Sequence, residues 1–318
     1  MTLEEKLKEI PRAPGVYLHK DTEGKIRFIA DLSHALLPLA DPAQIMAVAV
    51  RMLGEYLNVD RCVYAEVEAD EGQLVIMGEY TRGPIPHIVG RYRISDFGER
   101  ERQVLRENDA YVVNDIETEL PPGTDLSLYR RGGIRSLVCV PLNKGGSFVA
   151  RMAAHQSTPR SWSAAEIELL RKVASRCWES VERARALRRL KESDDRYRAF
   201  ITNSSEAIWR FELEQPIPLA TSVDEQIEML YKYGYLAECN DAMARMYGYE
   251  SADQIVGARV GDLMPRSDPQ NLAYLHALRR NDYRLTDFET HEVDRYGNTK
   301  YFLNNLTAVQ ENGMLVRG

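Results

Sequence analysis

The chain has 318 residues, of which 44% are hydrophobic and 28% charged, and its formal net charge is −7. That balance describes two ordinary folded domains with real cores rather than a disordered tail, and it offers no surplus of cations for general nucleic-acid binding. No apolar stretch is long enough to span a bilayer, and the charged segment 1–10 lacks the apolar core of a secretory signal.

Cys62, Cys139, Cys177 and Cys239 are widely spaced, and the six histidines make no close pairing with them. This pattern predicts free thiols in a reducing, cytoplasmic setting, with no disulfide framework and no metal site. Residues 1–26 read as an uneven leader: Pro11, Pro14 and Gly15 break any helix begun at Leu3, and 21–24 supply a turn. Asp41 and Pro42 then open a helix whose apolar face is Ile45, Val48, Met52, Leu53 and Tyr56. Strands are predicted at 61–68 and 73–80 around a turn at 69–72. A polar, Gly- and Pro-bearing stretch follows, with Tyr111, Val112 and Val113 as a short strand. Strands at 134–142 and 147–155, joined by Asn143-Lys144-Gly145-Gly146, complete the first half. The pattern is α+β, a central antiparallel sheet flanked by helices.

A long helix is predicted from Ser163 to about Ile201. Ser163 and Glu166 form a capping box, and Ile167, Leu170, Val173, Ala174, Cys177, Val181, Ala184, Leu187 and Leu190 recur at helical spacing without Gly or Pro. At 1.5 Å per residue it would span roughly 58 Å. It reads either as a terminal packing helix that frays into a polar joint or as a continuous connector, paired in a dimer as a coiled coil. Beyond Ala184 the apolar spacing becomes sparse and holds Asp194, which makes pairing sensitive to register and places a joint near 191–195. Arg183, Arg185, Arg188, Arg189 and Lys191, interleaved with leucines, read as a solvated face.

The second half is again a mixed module. Strands are predicted at 206–212 and 235–238, separated by an insertion at 214–232 that carries Pro216 and Pro218. Asn240 caps a helix at 241–247, Ser251 and Gln254 form a second capping box ended by Gly257, and a helix at 271–280 packs Leu272, Leu275, His276 and Leu278. Strands at 284–294 and 300–309 follow. The third strand, 314–318, is so short that the chain reads as cut from a longer polypeptide at its last strand.

Phe28-Ile29-Ala30-Asp31-Leu32, Arg61-Cys62-Val63-Tyr64-Ala65, Tyr92-Arg93-Ile94-Ser95-Asp96-Phe97, Gly133 through Leu142 and Pro159-Arg160-Ser161-Trp162-Ser163 together resemble a GAF domain of bacterial sensor proteins. Ser204-Ser205-Glu206-Ala207-Ile208-Trp209-Arg210, Glu238-Cys239-Asn240-Asp241 through Tyr249 and the terminal strands resemble a PAS domain. The resemblance implies a leader at 1–26, a GAF-like domain at 27–185, a connecting signalling helix at 163–201 and a PAS-like domain at 194–318. It also implies a homodimeric sensory input region, upstream of a histidine kinase or diguanylate cyclase in a longer two-component-type protein. Residues 7–18 also resemble the opening of the nuclease domain of the excision-repair incision protein, without that domain's further motifs.

In the GAF-like half the resemblance places a pocket between sheet and helices, with Tyr64, Tyr92, Asp96, Cys139 and Arg151 as lining candidates. The 115–129 segment has no Cys for a covalent bilin, and the cyclic-nucleotide signature is absent. Cys62 and Cys139 read as small core hydrophobes ahead of redox centres. In the PAS-like half Trp209, Met243, Met246, Tyr247, His291, Phe302 and Asn304 could surround a small cavity. Met243 and Met246 read first as core packing. Cys239 does not match a flavin-type light sensor, and His276 suits a helix surface or core better than a haem ligand.

No catalytic constellation stands out, so the expectation is a non-enzymatic sensor that binds a small molecule or partner, without cofactor, metal, nucleic acid or membrane span. The competing expectation is a constitutive dimerisation or protein-docking module. Space behind Tyr92 and Trp209 separates the two.

Overall fold

In the computed structural model, which describes residues 22–69 and 72–318, the chain divides into two units, one ending at Leu190 and one starting at Lys191. The nuclease-like stretch 7–18 and the leader's prolines lie outside the described residues, as does part of the 69–72 turn.

Among the described residues the first unit's first element is helix α1 (Thr22–Leu36), so within 22–24 the expected turn gives way to a helix start. Phe28, Leu32 and Leu36, four apart on one face, are buried, which outweighs the propensity cost of about 1 kcal/mol for Gly24. Helix α2 (Pro42–Leu57) starts as its sequence dictates: the Asp41 side chain accepts from the Ala43 amide at 3.2 Å, and Pro42 occupies the first turn. Its buried face is Ile45, Met46, Ala49, Val50, Leu53 and Leu57, while Val48, Met52 and Tyr56 are half-buried beside it. The expected face is therefore rotated toward Met46 and Val50. Gly54 sets the approach, since a Cβ there would meet the Tyr80 ring at 2.2 Å.

Strands β1 (Arg61–Val67), β2 (Gln73–Thr81), β3 (Gly90–Arg93), β4 (Tyr111–Val113), β5 (Ser136–Lys144) and β6 (Ser147–Gln156) form one antiparallel sheet in the order β3-β2-β1-β6-β5-β4. Both faces are covered. Cys62, Tyr64, Val138, Val140 and Met152 face α1, α2 and the long helix; Val63, Ala65, Leu137, Cys139 and Ala153 face the other way. That second face is closed by short helices α3 (Glu99–Arg106), α4 (Ile116–Glu119) and α5 (Ser127–Arg131). Arg61, fully buried, ties the periphery down: it pairs with Glu79 at 3.0 Å and donates to the carbonyls of Gly132, at 2.8 Å, and Pro86.

Helix α6 (Ala164–Asn203) is one unbroken element. The Ser163 amide donates to Glu166 Oε2 at 2.8 Å and the Glu166 amide donates to Ser163 Oγ at 3.3 Å, the reciprocal cap written in the sequence. Leu170, Val173, Ala174, Cys177, Val181 and Ala184 are buried in the first unit, whereas Leu187 and Leu190 are 59% and 68% exposed.

In the second unit β7 (Trp209–Pro218) starts later and runs further than expected. Residues before it are engaged by Asn240, whose Oδ1 accepts from the Ile208 amide at 3.1 Å and whose Nδ2 donates to the Glu206 carbonyl at 2.8 Å. The apparent insertion is the end of β7 plus helix α7 (Val223–Tyr233), which has its own capping box of Ser222 and Glu225. β8 (Gly234–Cys239) pairs with β7, Trp209 opposite Cys239. Short helices α8 (Asp241–Met246) and α9 (Val260–Leu263) and the longer α10 (Pro269–Arg280) follow. Asn240 caps α8, accepting from the Met243 amide at 3.0 Å. The expected Ser251 box does not form: Gln254 Oε1 accepts from the Glu250 amide at 3.0 Å beside a single 3-10 turn at Ala252–Gln254.

β9 (Arg284–Val293) and β10 (Thr299–Thr307) form a hairpin, and β11 (Val309–Glu311) and β12 (Met314–Arg317) a second one. β12 is no edge strand. It lies between β11 and β7 in a sheet ordered β11-β12-β7-β8, and Gly318 and Phe211 exchange backbone hydrogen bonds of 2.7 and 2.9 Å.

Candidate functional site

Each unit holds a cavity against its sheet. The one in the first unit has about 470 Å³ of unfilled space, counting its open side. Strand alternation places its polar groups: Arg151, Ala153 and His155 project from β6 on one face, with Cys139 opposite Ala153. Arg151 is paired with Glu101 of α3, both nearly fully buried, and its guanidinium lies 4.1 Å from the Phe97 ring centroid. Tyr129 donates to Glu101 at 3.3 Å. Burial pushes the Glu101 carboxyl up, against the opposing pull of Arg151 and Tyr129. Burial, reinforced by the charges of Arg61 and Arg151, drives His155 well below 6.5, so its ring is neutral; its Nδ1 has no hydrogen-bond partner among the described residues.

Of the residues singled out from sequence, Tyr92, Cys139 and Arg151 line this cavity. Tyr64 lies on the opposite face, packed with α2 and α6, because its neighbour Val63 takes the cavity face. Asp96 points outward and accepts from the Arg93 amide at 3.3 Å. Burial pushes the Cys139 thiol up to about 12, so a group attached through a thiolate does not fit these residues. Cys62, Cys177 and Cys239 are buried as well.

The cavity of the second unit is larger, about 980 Å³ counting its open side. Leu230, Leu263, Leu275, Leu278 and Leu306 supply much of its wall, from α7, α9, α10 and β10. At one end, Glu292 is buried among donors. The Tyr247 hydroxyl donates to it, Thr290 Oγ1 donates at 2.7 Å and Asn304 Nδ2 at 3.1 Å. Burial raises Glu292 above the ordinary 4.5, although all three donors favour its charged form. At another end Tyr283, held at a left-handed φ of 59°, turns its hydroxyl onto Gln226. Gln226 in turn donates to the Thr221 carbonyl at 2.8 Å.

Trp209, Met243, Tyr247 and Asn304 line this cavity; Phe302 stands behind Tyr247, ring centroids 5.2 Å apart. Met246 is 41% exposed, since Met243 of α8 and Tyr247, which caps its C-terminal end, take the inward side. His291 faces outward, bonded to Asp268 at 2.9 Å and edge-on to Tyr301. Hydrogen bonding to Asp268 raises its pKa. The inward groups of β9 are its neighbours Thr290 and Glu292, which sequence reasoning missed; parity along the strand was the available signal. His276 is a helix-surface residue, 3.8 Å from Asp224. Among the described residues no His/Cys/Asp/Glu cluster has metal-binding geometry, and no helix is long and apolar enough to cross a membrane.

Residues 41–181 match the family model of the GAF domain, and residues 195–282 match that of a PAS domain. Similar solved structures include the blue-light-absorbing form of the Thermosynechococcus elongatus PixJ GAF domain (22% identity over 48% of this chain and 92% of that one, TM-score 0.42). A phycocyanobilin-bound GAF domain from a cyanobacterial phytochrome is similar at 15% identity, 51% and 94% coverage and a TM-score of 0.44. The GAF domain of an Acinetobacter phosphoenolpyruvate-protein phosphotransferase is similar at 13% identity, 52% and 97% coverage and a TM-score of 0.42. The phycocyanobilin is that protein's ligand. No curated protein sequence matches the chain.

Proposed function

We propose, for a chain in which a GAF domain precedes a PAS domain, a non-catalytic sensory input region whose PAS-half cavity holds a small, largely apolar ligand. The occupied or empty state passes through α6, one strand of a homodimeric coiled coil, to a histidine kinase or diguanylate cyclase output domain in the cytoplasm. In this reading the GAF domain occupies 27–185 and the PAS domain 194–318.

The observation that carries the reading is the apolar cavity closed at one end by the Glu292 cluster, space that a filled core would not leave. A path from it to the helix is built into one side chain. Met243 lines the cavity, and Asn240, which caps the same helix α8, also donates to the Ile201 carbonyl in the last turn of α6 at 3.2 Å. A ligand that displaces Met243 therefore acts on the hydrogen bonds that hold the end of α6. Two states separated by a few kcal/mol suffice.

The constitutive docking module remains a second reading because Leu187, Leu190, Tyr197 and Phe200 are exposed along α6. Native mass spectrometry of protein from its own host, followed by dimer affinity and spin-label distances on loaded and emptied samples, separates the two. The sensory reading expects a bound small mass and a change in dimer affinity or α6 distances when it is removed. Identical affinity and distances in both samples would overturn it in favour of docking.

A further inference from the structure

The charged groups around the PAS-half cavity are unevenly satisfied. Glu292 is saturated by Tyr247, Thr290 and Asn304. Arg317 faces Glu311 at 3.8 Å. Arg279 lines the same cavity from the last turn of α10 and has no ion pair among the described residues. Its Nε is shut away from solvent without a hydrogen-bond partner, and its guanidinium lies 5.6 Å from the Tyr283 ring centroid.

Asp282, which with Arg279 faces Tyr283, is occupied elsewhere: it accepts from Gln310 Nε2 at 3.0 Å. The helix end does not account for Arg279 either, because Arg280 already serves it, with its Nε on the His276 carbonyl at 3.3 Å. A guanidinium with five donors beside an apolar chamber is a receptor for a planar anion.

We propose that this cavity takes an amphipathic monocarboxylic acid, its apolar body along Leu230, Leu263 and Leu275 and its carboxylate on the Arg279 guanidinium. The proposal rests on the reading of the cavity as a ligand site. Orientation follows from charge: among the described residues the Glu292 end has its donors engaged and no cation, so an anionic head there would be unpaired, whereas Arg279 lacks a counter-ion. Length follows from α10. Asn271, at the Glu292 end of the helix, bonds the His291 carbonyl, and from there to Arg279 is about 12 Å of helix. A medium-length aliphatic acid or an arylalkanoic acid spans that distance.

Calorimetric titration of the full chain with decanoate, 1-decanol and decylamine tests the class. The expected result is decanoate binding at least tenfold tighter than 1-decanol, as one charge-assisted hydrogen-bonded pair would give. Arg279→Gln should abolish that preference, while Arg280→Gln changes the binding of neither ligand. Equal binding of decanoate and 1-decanol, or an unaltered preference in Arg279→Gln, overturns the carboxylate and leaves the cavity a ligand site. No binding by any of the three, with Leu275→Trp indistinguishable from the parent chain, overturns the carboxylate and the cavity reading together.

Discussion

The GAF and PAS halves each bury charge beside a cavity and resolve it in opposite ways. In the GAF half a cation and an anion, Arg151 and Glu101, are brought together and roofed by Tyr129 and Phe97. In the PAS half, among the described residues, the acid Glu292 has no cation and the cation Arg279 no acid; three neutral donors and a raised pKa accompany the burial of Glu292. A cation and an anion that hold each other keep their charges balanced without a ligand and work as a fixture of the fold, even though Arg151 Nε and His155 Nδ1 have no hydrogen-bond partner among the described residues. Unmatched groups set apart along an apolar chamber leave something for a ligand to do.

That contrast breaks most severely at Arg151. Arg151→Met strands Glu101 in the interior and should destabilise the GAF half by about 3–5 kcal/mol in urea unfolding. Adding Glu101→Leu should recover more than half of the loss. If the double variant is no more stable than the single one, the pair is not the fixture described.

Two buried groups, Glu292 in the PAS half and His155 in the GAF half, should also respond to pH with opposite signs, a smaller effect. Glu292 is raised above 4.5 by burial, so its contribution to the PAS half is complete below 4.5 and is lost as pH rises through the folded value. His155 is lowered from 6.5 by burial, so the GAF half keeps its contribution above 6.5 and loses it as pH falls. Thermal melts from pH 4 to 9 should therefore flatten on the alkaline side in Glu292→Gln and on the acid side in His155→Gln. Parallel curves for parent and variants would remove the asymmetry.

The smallest effect expected is at the start of α6. Ser163→Ala removes one half of its capping box and should cost about 1 kcal/mol, felt by the GAF half alone. A loss shared with the PAS half would mean that the two unfold together.

Much of this was legible in the sequence where one physical rule acted alone. Ser163 with Glu166 predicted the cap that forms, and alternation along β10 put Phe302 and Asn304 inward. Reading failed where two rules competed. β1 and β5 are apolar on both faces, so composition carries no parity, and Tyr64 fell on the helix side. On β9 the hydropathy rule sends Glu292 outward, yet Thr290, Tyr247 and Asn304 reach it only inside. Pro216 and Pro218 disguised β7, and with it the Ser222 cap of α7. Arg279 reads as a solvated helix end in any linear view; only the apolar chamber behind it gives it another meaning.

Those prolines have one more consequence. Past Leu213, β7 has outrun its partner β8, and Glu214, Gln215 and Pro216 stand exposed along the unpaired stretch. A bare strand edge is a template on which a second molecule can add a strand. Here Pro216 has no amide hydrogen to offer and the Glu214 carboxylate is held by Arg259 at 2.6 Å, so the half of the protein that keeps an open apolar chamber presents no regular ladder on which its own copies can build.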